Sequence, residues 1–395
     1  DWDLNFILTN DIDVSGITVN KIGNSTTYFT GSFNGQGHTI SNLTLNSPAD
    51  DGVGFFGYID NANISNLRLV NVNISGDDLV GGLCGAYTGG NISNCFVSGS
   101  VQGAGNVGGL CGYLAENTSS SYVSSSSSNC SVTGAGNYVG GFTGRVLGSS
   151  EVNRCHATGS VNNTHDYTGG FCGKIADDAI VYECYCLGSV QGGSQFTGGF
   201  AGMIETTESV NTCFAMFSSI TGAIFTGGFS GVIQGNQGTV SNCFATGTVS
   251  GTEAVGGFSG FKSSTDPISY CFFKGSIIGN SRTGGFCGFS NGTIGYNCCF
   301  WNAGGGLYDI GDYTTDPPDD DPYNHSKITE LTEQEMKNQS SFSCFSFGNP
   351  WLMGLEHPIL PMYLAAIPTF TEWAVIVLSV LMLVMGGWFV WRRFA

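Results

Sequence analysis

One short motif, repeated at a nearly constant interval, constrains this chain more than any other property. The pattern Gly-Gly-Leu/Phe-x-Gly occurs eight times, with its first glycine at Gly81, Gly108, Gly140, Gly169, Gly198, Gly227, Gly256 and Gly284. Successive copies lie 27, 32, 29, 29, 29, 29 and 28 residues apart, and a degenerate copy, Gly52-Val-Gly-Phe-Phe-Gly57, precedes them. A period of this size marks a repeat architecture. One unit is too short to bury a core alone, and stacked units share one.

Each unit carries a second signature, typified by Val240-Ser-Asn-Cys-Phe-Ala-Thr-Gly247, then a short Ser/Thr-Val-x-Gly piece such as Thr248-Val-Ser-Gly251. No unit holds ten residues of helical periodicity. The 62 glycines among 395 residues also oppose helix, at about 1 kcal/mol per helical position. The expectation is an all-β chain folded as a parallel β-solenoid of about nine rungs, stacked at about 4.8 Å. A β-propeller fits less well, because its blades run to about 40–50 residues. Leu83, Leu110, Phe142, Phe171, Phe200, Phe229, Phe258 and Phe286 share one repeat position and should form an apolar ladder inside the coil. The flanking glycines are expected to supply positive φ at corners and close backbone approach. None leads into a helix with a phosphate-binding lysine, so they are not read as a phosphate cradle.

Composition removes other classes. With 30 acidic and 12 basic residues the net charge is -18, which excludes a nucleic-acid binder. A hydrophobic fraction of 41% argues against disorder. Nine prolines without a Gly-X-Y period exclude collagen.

Val80-Gly-Gly-Leu-Cys-Gly85 and Val255-Gly-Gly-Phe-Ser-Gly260 resemble the GLUG-motif repeats of bacterial surface, adhesin-like proteins. Asn10-Asp-Ile-Asp-Val-Ser15 and Phe29-Thr-Gly-Ser-Phe-Asn-Gly-Gln-Gly-His-Thr-Ile-Ser-Asn-Leu-Thr-Leu45 resemble the entry segment before such repeats. The resemblance implies a right-handed parallel β-helix and a surface location, without a defined ligand. It divides the chain into an entry segment, 1–51, solenoid repeats, 52–300, a C-terminal cap, 301–366, and a tail, 367–395. Within the cap, Thr332 and Glu335 read as the ends of a capping box that starts a short helix.

The tail opens on Ile367-Pro-Thr-Phe-Thr-Glu-Trp373, continues as an apolar run, and ends with Trp391-Arg-Arg393. Trp373 to Trp391 is 19 residues, about 28 Å as a helix, close to the hydrocarbon thickness of a bilayer. This tail resembles the IPTL-CTERM sorting signal of Gram-negative bacteria. Ile367, Pro368, Thr369, Glu372 and Trp373 match the motif, and Phe370 stands where Leu is usual. The resemblance implies an exosortase-like sorting enzyme as partner and a transmembrane helix flanked by Arg392 and Arg393, which suit the cytoplasmic side.

The chain has 15 cysteines. Export favours disulfides, and equivalent residues on adjacent rungs lie within bridging distance. The candidate ladder comprises Cys84, Cys111, Cys95, Cys130, Cys155, Cys184, Cys213, Cys243, Cys271 and Cys298. Its pairs would be Cys95–Cys130, Cys155–Cys184, Cys213–Cys243 and Cys84–Cys111, and a reduced small-residue ladder is the alternative. Phe96, His156, Tyr185, Phe214, Phe244 and Phe272 follow the second-signature cysteines, so one of these two ladders should point outward.

No catalytic constellation is evident. In residues 52–300 the basic residues Arg68, Arg145, Arg154, Lys174, Lys262, Lys274 and Arg282 read as occupying different repeat phases. The carboxylate pairs Asp77/Asp78 and Asp177/Asp178 read as solvated loops. His38, His156, His165, His325 and His357 lack a ligand spacing. Cys184-x-Cys186 and Cys298-Cys299 do not make a zinc set. No cofactor is expected; Asp316 to Asp321 is the one candidate Ca²⁺ loop, and solvation explains it better. Asn-x-Ser/Thr sequons, among them Asn24, Asn63 and Asn91, fit an Asn/Ser/Thr-rich composition without requiring glycosylation. The expectation is a non-enzymatic exported stalk for adhesion or envelope structure. A subunit of an extracellular fibre, with the apolar tail packed between copies, is the second reading. A polysaccharide-active enzyme is the third.

Overall fold

The computed structural model describes residues 2–115, 120–235, 238–263, 266–291, 295–304, 307–311 and 328–360. Residues 1–335 and 336–395 form separate compact units.

The first unit is a parallel β-solenoid built on three sheets. The first sheet has eleven strands, from Asn5–Ile7 through Ser32–Asn34 and Ala62–Ser65 to Tyr296–Asn297, in sequence order. The second runs from Ile12–Asp13 to Ile328–Glu330 and includes the longer strands Arg68–Ser75, Phe96–Gly103 and Phe214–Thr221. The third has seventeen short strands, mostly two per rung, as in Gln195–Gly198 and Ala201–Thr206. The entry segment supplies rungs to the same sheets rather than a separate cover: Asn5 pairs with Ser32, and Ser32 with Asn63. At the other end, Tyr308–Ile310 and Ile328–Glu330 continue the third and second sheets.

In-register stacking turns each inward repeat position into a column. Ile64, Ile92, Val123, Val152, Val181, Val210, Val240 and Ile268 form one column of the first sheet, all buried. The Leu/Phe column of the third sheet is fully buried from Leu83 to Phe286. Its rings repeat at 4.8–4.9 Å and lie within 8° of parallel, because each side chain inherits the strand spacing. A fully buried Phe contributes about 2–3 kcal/mol of transfer free energy, so this column is a main source of cohesion.

The signature glycines meet only the close-approach half of the expectation. None of Gly81, Gly82, Gly140, Gly141, Gly198 and Gly199 has positive φ. They are glycines because neighbouring backbone fills the space of a Cβ: one on Gly199 would overlap the carbonyl oxygen of Gly228. The second glycine also makes room for an inward side chain of the second sheet, Ala157 beside Gly141 and Trp301 beside Gly285. The left-handed corner before the second sheet is instead made by non-glycines. Asn66, Asn94, Ser125, Arg154, Glu183, Thr212, Asn242, Tyr270 and Cys298 all have φ between 48° and 57°. Asn is common there because its short amide tolerates this region and bonds along the stack: Asn94 Nδ2 donates to Asn66 Oδ1 at 2.7 Å, and Asn66 Nδ2 to Asn34 Oδ1 at 3.1 Å.

The expected capping box is present. Thr332 N–H donates to Glu335 Oε2 at 2.8 Å, Glu335 N–H donates back to Thr332 Oγ1 at 3.3 Å, and the helix spans Glu333–Met336. The second unit, over its described residues, holds a 3₁₀ helix at Gln339–Phe342 and an antiparallel pair, Leu352–Met353 with Pro358–Ile359. Its core is aromatic: Phe345 stacks on Trp351 at 4.6 Å, and Trp351 is fully buried. The Asp316–Asp321 loop, His325 and the apolar tail with its expected membrane helix lie outside the described residues. Among the described residues no helix is long and apolar enough to cross a membrane.

Candidate functional site

The candidate functional features of this solenoid are its side-chain columns. The second-signature cysteines form a buried column of the core: Cys155, Cys184, Cys213, Cys243, Cys271 and Cys299 are fully buried and follow one another rung by rung. Backbone bonds fix the stacking: Tyr185 N–H donates to Cys155 O, Phe214 N–H to Cys184 O, and Phe300 N–H to Cys271 O. All six carry free thiols. Burial pushes the Cys155, Cys213 and Cys271 thiols well above their ordinary pKa and Cys299 to about 12. At Cys184 and Cys243 burial acts the same way, but hydrogen bonds from the neighbouring column thiols outweigh it and hold the pKa below its ordinary value.

Four members of the candidate ladder stand elsewhere. Cys130 pairs in register with Gly99, and Ser126 occupies the position next to Cys95: Phe96 pairs with Ser127, and Ser126 Oγ accepts from Cys95 N–H. A Cys95–Cys130 bridge is therefore out of register. Cys299, not Cys298, continues the inward column, since Cys299 precedes Phe300, which pairs with Phe272. Cys298 takes the left-handed corner at φ 57°. Cys298 and Cys344 each take part in a disulfide. Cys84 and Cys111 belong to another column, that of Thr143, Cys172, Ala201, Ser230, Ser259 and Cys287 in the third sheet.

The residues after the column cysteines stack on the opposite strand face. His156 and Tyr185 lie 4.7 Å apart, Tyr185 and Phe214 4.8 Å, and Phe244 and Phe272 5.0 Å, all within 2° of parallel. Arg68 caps Phe96, its guanidinium carbon 4.5 Å from the ring centroid. His156 and Tyr185 are half-buried, while Phe214, Phe244 and Phe272 are fully buried. Cysteine thus takes the inner face. Burial holds the His156 pKa below its ordinary value.

A second aromatic column was not singled out in the sequence. Tyr138, Tyr167, Phe196 and Phe225 occupy the left-handed position two residues before each signature, with φ of 55–66°. They stack at 4.7, 4.7 and 5.6 Å, and the column continues through Phe261 and Phe289. Arg145 lies between Tyr113 and Tyr138, 5.0 and 4.4 Å from their centroids, and Arg282 covers Phe289 at 4.4 Å. Aligning the repeats two residues upstream of the first glycine would have exposed this column.

Charged groups are also organised by rung. Arg145 and Lys174 share one repeat position and pair in register, contrary to the expectation that the basic residues differ in phase. Lys174 bonds Glu205 at 2.7 Å, Lys274 bonds Glu333 at 2.9 Å and Arg282 bonds Glu253 at 3.3 Å. For Glu205, burial raises the pKa, yet the Lys174 ammonium outweighs it and holds the carboxyl below its usual value. Asp78 Oδ1 accepts from Asn106 Nδ2 at 2.6 Å and Leu79 N–H at 2.8 Å, and Asp178 Oδ1 accepts from Thr207 Oγ1 at 2.5 Å. These carboxylates brace corners. Lys262 takes an inward position, in register with Ile233, and its ammonium stands 5.3 Å from the Tyr296 centroid. His38 pairs with Asp11 at 3.2 Å, and His165 Nδ1 lies 3.0 Å from Thr164 Oγ1. Among the described residues no group of three His, Cys, Asp or Glu could hold a metal ion. The sorting-motif residues Ile367, Pro368, Thr369, Phe370, Glu372 and Trp373, with Arg392 and Arg393, lie outside the described residues.

Comparison with known proteins places names on these features. The GLUG motif matches residues 76–102 and 135–162, and the IPTL-CTERM motif matches residues 365–393. Halomucin of Haloquadratum walsbyi (strain DSM 16790 / HBSQ001) is 36% identical over 118 residues, which is 27% of this chain and 1% of halomucin. The chain thus spans about 1% of that relative's length. A solved Bacteroides ovatus structure, provisionally described as an immunoglobulin A1 protease, aligns over 91% of this chain and 86% of its own. At 18% identity and a TM-score of 0.41 it carries no argument. The chain therefore carries GLUG-motif repeats within a parallel β-solenoid and an IPTL-CTERM sorting motif at its C-terminal end.

Proposed function

We propose that this chain is an exported, non-enzymatic cell-surface protein. Its solenoid serves as a stalk for adhesion or envelope structure, and its C-terminal segment directs sorting. One observation carries this reading: an in-register β-rod of eleven stacked strands shares its chain with an IPTL-CTERM motif at residues 365–393. At about 4.8 Å per rung the rod extends about 50 Å, a spacer-like shape. The outward polar groups also support it, because they bond to equivalent groups on neighbouring rungs: Asn71 Nδ2 donates to Asn42 Oδ1 at 2.7 Å. An exosortase-like enzyme would act at Ile367, Pro368, Thr369, Phe370, Glu372 and Trp373.

The test compares the full chain with one truncated after Tyr363, in a bacterium that has an exosortase-like enzyme. Labelling of intact cells by an antibody to the solenoid should fall at least tenfold on truncation, with the protein recovered elsewhere. Equal surface labelling of both forms would overturn the proposal.

A further inference from the structure

The cysteines fall into two columns that differ in the backbone carbonyl their thiols reach. In the column of Cys155 to Cys299, successive thiols from Cys155 to Cys271 interact along the stack, and each is also held by the carbonyl two residues earlier: Cys155 to Asn153 O at 3.2 Å, Cys213 to Asn211 O at 3.2 Å, Cys243 to Ser241 O at 3.1 Å and Cys271 to Ser269 O at 3.2 Å. In the column that contains Cys84 and Cys111, the habit is to donate to the carbonyl two residues later. Thr143 does so to Arg145 O at 3.1 Å, Cys172 to Lys174 O at 3.1 Å, Ser230 to Val232 O at 2.8 Å, Ser259 to Phe261 O at 2.9 Å and Cys287 to Phe289 O at 3.2 Å.

Cys84 departs from that habit. Its thiol points across the rung to Cys111, with the two sulfurs 3.0 Å apart. The residues are register partners on adjacent parallel strands, Cys84–Tyr87 and Cys111–Leu114, and both are fully buried. Strand spacing of about 4.8 Å lies within the Cα range that a disulfide spans. Both residues are free thiols as described, and Cys130, Cys172 and Cys186 have other partners: Gly109 O, Lys174 O and Gly199 O.

We propose that Cys84 and Cys111 are a cross-rung oxidation site, which closes to a disulfide that staples two successive GLUG-type rungs while the Cys155–Cys299 column stays reduced. The co-reactant is a disulfide, oxidised glutathione or a disulfide oxidoreductase. One S–S bond forms between Cys84 and Cys111, the S–S bond of the oxidant breaks, and the two thiol protons end on the oxidant's sulfurs. Two electrons pass from the cysteine pair to the oxidant. Because both thiols are fully buried once the rungs stack, exchange precedes closure of the core. In the cell the oxidant is met through export, so the physiological setting rests on the function proposed above; the experiment supplies the oxidant directly and does not depend on export.

The purified full chain is unfolded under reducing conditions, refolded with a mixture of oxidised and reduced glutathione, then denatured and alkylated without reductant. With Cys298 and Cys344 each in a disulfide, intact mass should show eleven alkylated cysteines of the fifteen. A chymotryptic map should link the peptides holding Cys84 and Cys111, with Cys95, Cys155, Cys184, Cys213 and Cys243 alkylated. Cys84→Ser should give twelve alkylated cysteines and Cys172→Ser ten. Serine occurs naturally at this position as Ser230 and Ser259, so both variants should fold. Chain secreted into an oxidising periplasm provides a second preparation if refolding is poor. Thirteen alkylated cysteines in folded wild-type chain would overturn the proposal, and so would a bridge within the Cys155–Cys299 column with Cys84 and Cys111 alkylated.

Discussion

At the residue scale, stacking decides which properties of a side chain matter. A residue in a column has like neighbours above and below, so shape and protonation are set by the stack as much as by solvent. His156 shows this. It lies face to face with Tyr185 at 4.7 Å, and burial depresses its pKa. A histidine with a folded pKa below its unfolded value, about 6.5, favours the folded state fully above that unfolded value. The contribution is lost as the pH falls through the window below it, toward the folded pKa. The urea midpoint should therefore drop between pH 7.5 and pH 5. His156→Phe, which copies Phe214 on the same column, should show a smaller drop. Equal drops in both chains would show that His156 does not contribute. The sequence made the phenylalanine and cysteine columns legible because both residue types recur at one phase. It did not reveal which neighbour each thiol faces, because a thiol can turn to either a carbonyl or another sulfur without changing the pattern.

At the element scale, the glycine signature was visible, and which of its two mechanisms applies was not. Repeated glycine is compatible with positive φ or with crowding, and both leave the same letter in the chain. The structure assigns crowding: a Cβ on Gly199 would overlap Gly228 O, a backbone atom that cannot rotate away. Gly199→Ala should therefore destabilise by about 1–3 kcal/mol, the usual range for overpacking. A shift of the urea midpoint at constant slope would measure it, and an unchanged midpoint would contradict the crowding argument. Register was the other element-level gap. The serine run Ser124-Ser-Ser-Ser-Ser128 offers several equivalent alignments, and placing Cys130 under Cys95 is one of them. Pairing settles on Val123 under Ile92 and Val132 under Val101, because that alignment keeps branched apolar side chains inside. A one-residue slip would turn each of them outward.

For the molecule as a whole, a solenoid tolerates changes in length that preserve phase. Phe196 and Phe225 are both left-handed column residues, followed by Thr197 and Thr226, which pair in register. Deleting residues 197–225 removes one 29-residue period and rejoins Phe196 to Thr226. The product should unfold cooperatively with its strand content retained, and scattering should show a rod about 5 Å shorter. Deleting residues 197–211 instead joins Phe196 to Thr212, which sets the second-sheet strand Phe214–Thr221 against the third sheet and should abolish cooperative unfolding. Retention of cooperativity in the second deletion would contradict the phase argument.

The sequence by itself determined the repeat, the all-β class, the identity of the buried Leu/Phe column and the capping box at Thr332, because each is written as a local pattern with a fixed period. It also supplied the IPTL-CTERM motif, which is read along the chain and needs no fold to be recognised. The tertiary structure decided the rest. It extended the rungs into the entry segment, put cysteine inside and its neighbouring aromatics on the opposite face, brought Arg145 beside Lys174, and turned Cys84 toward Cys111. These are contacts between residues about 27 to 32 positions apart, and only the alignment of one rung on the next decides which of them meet.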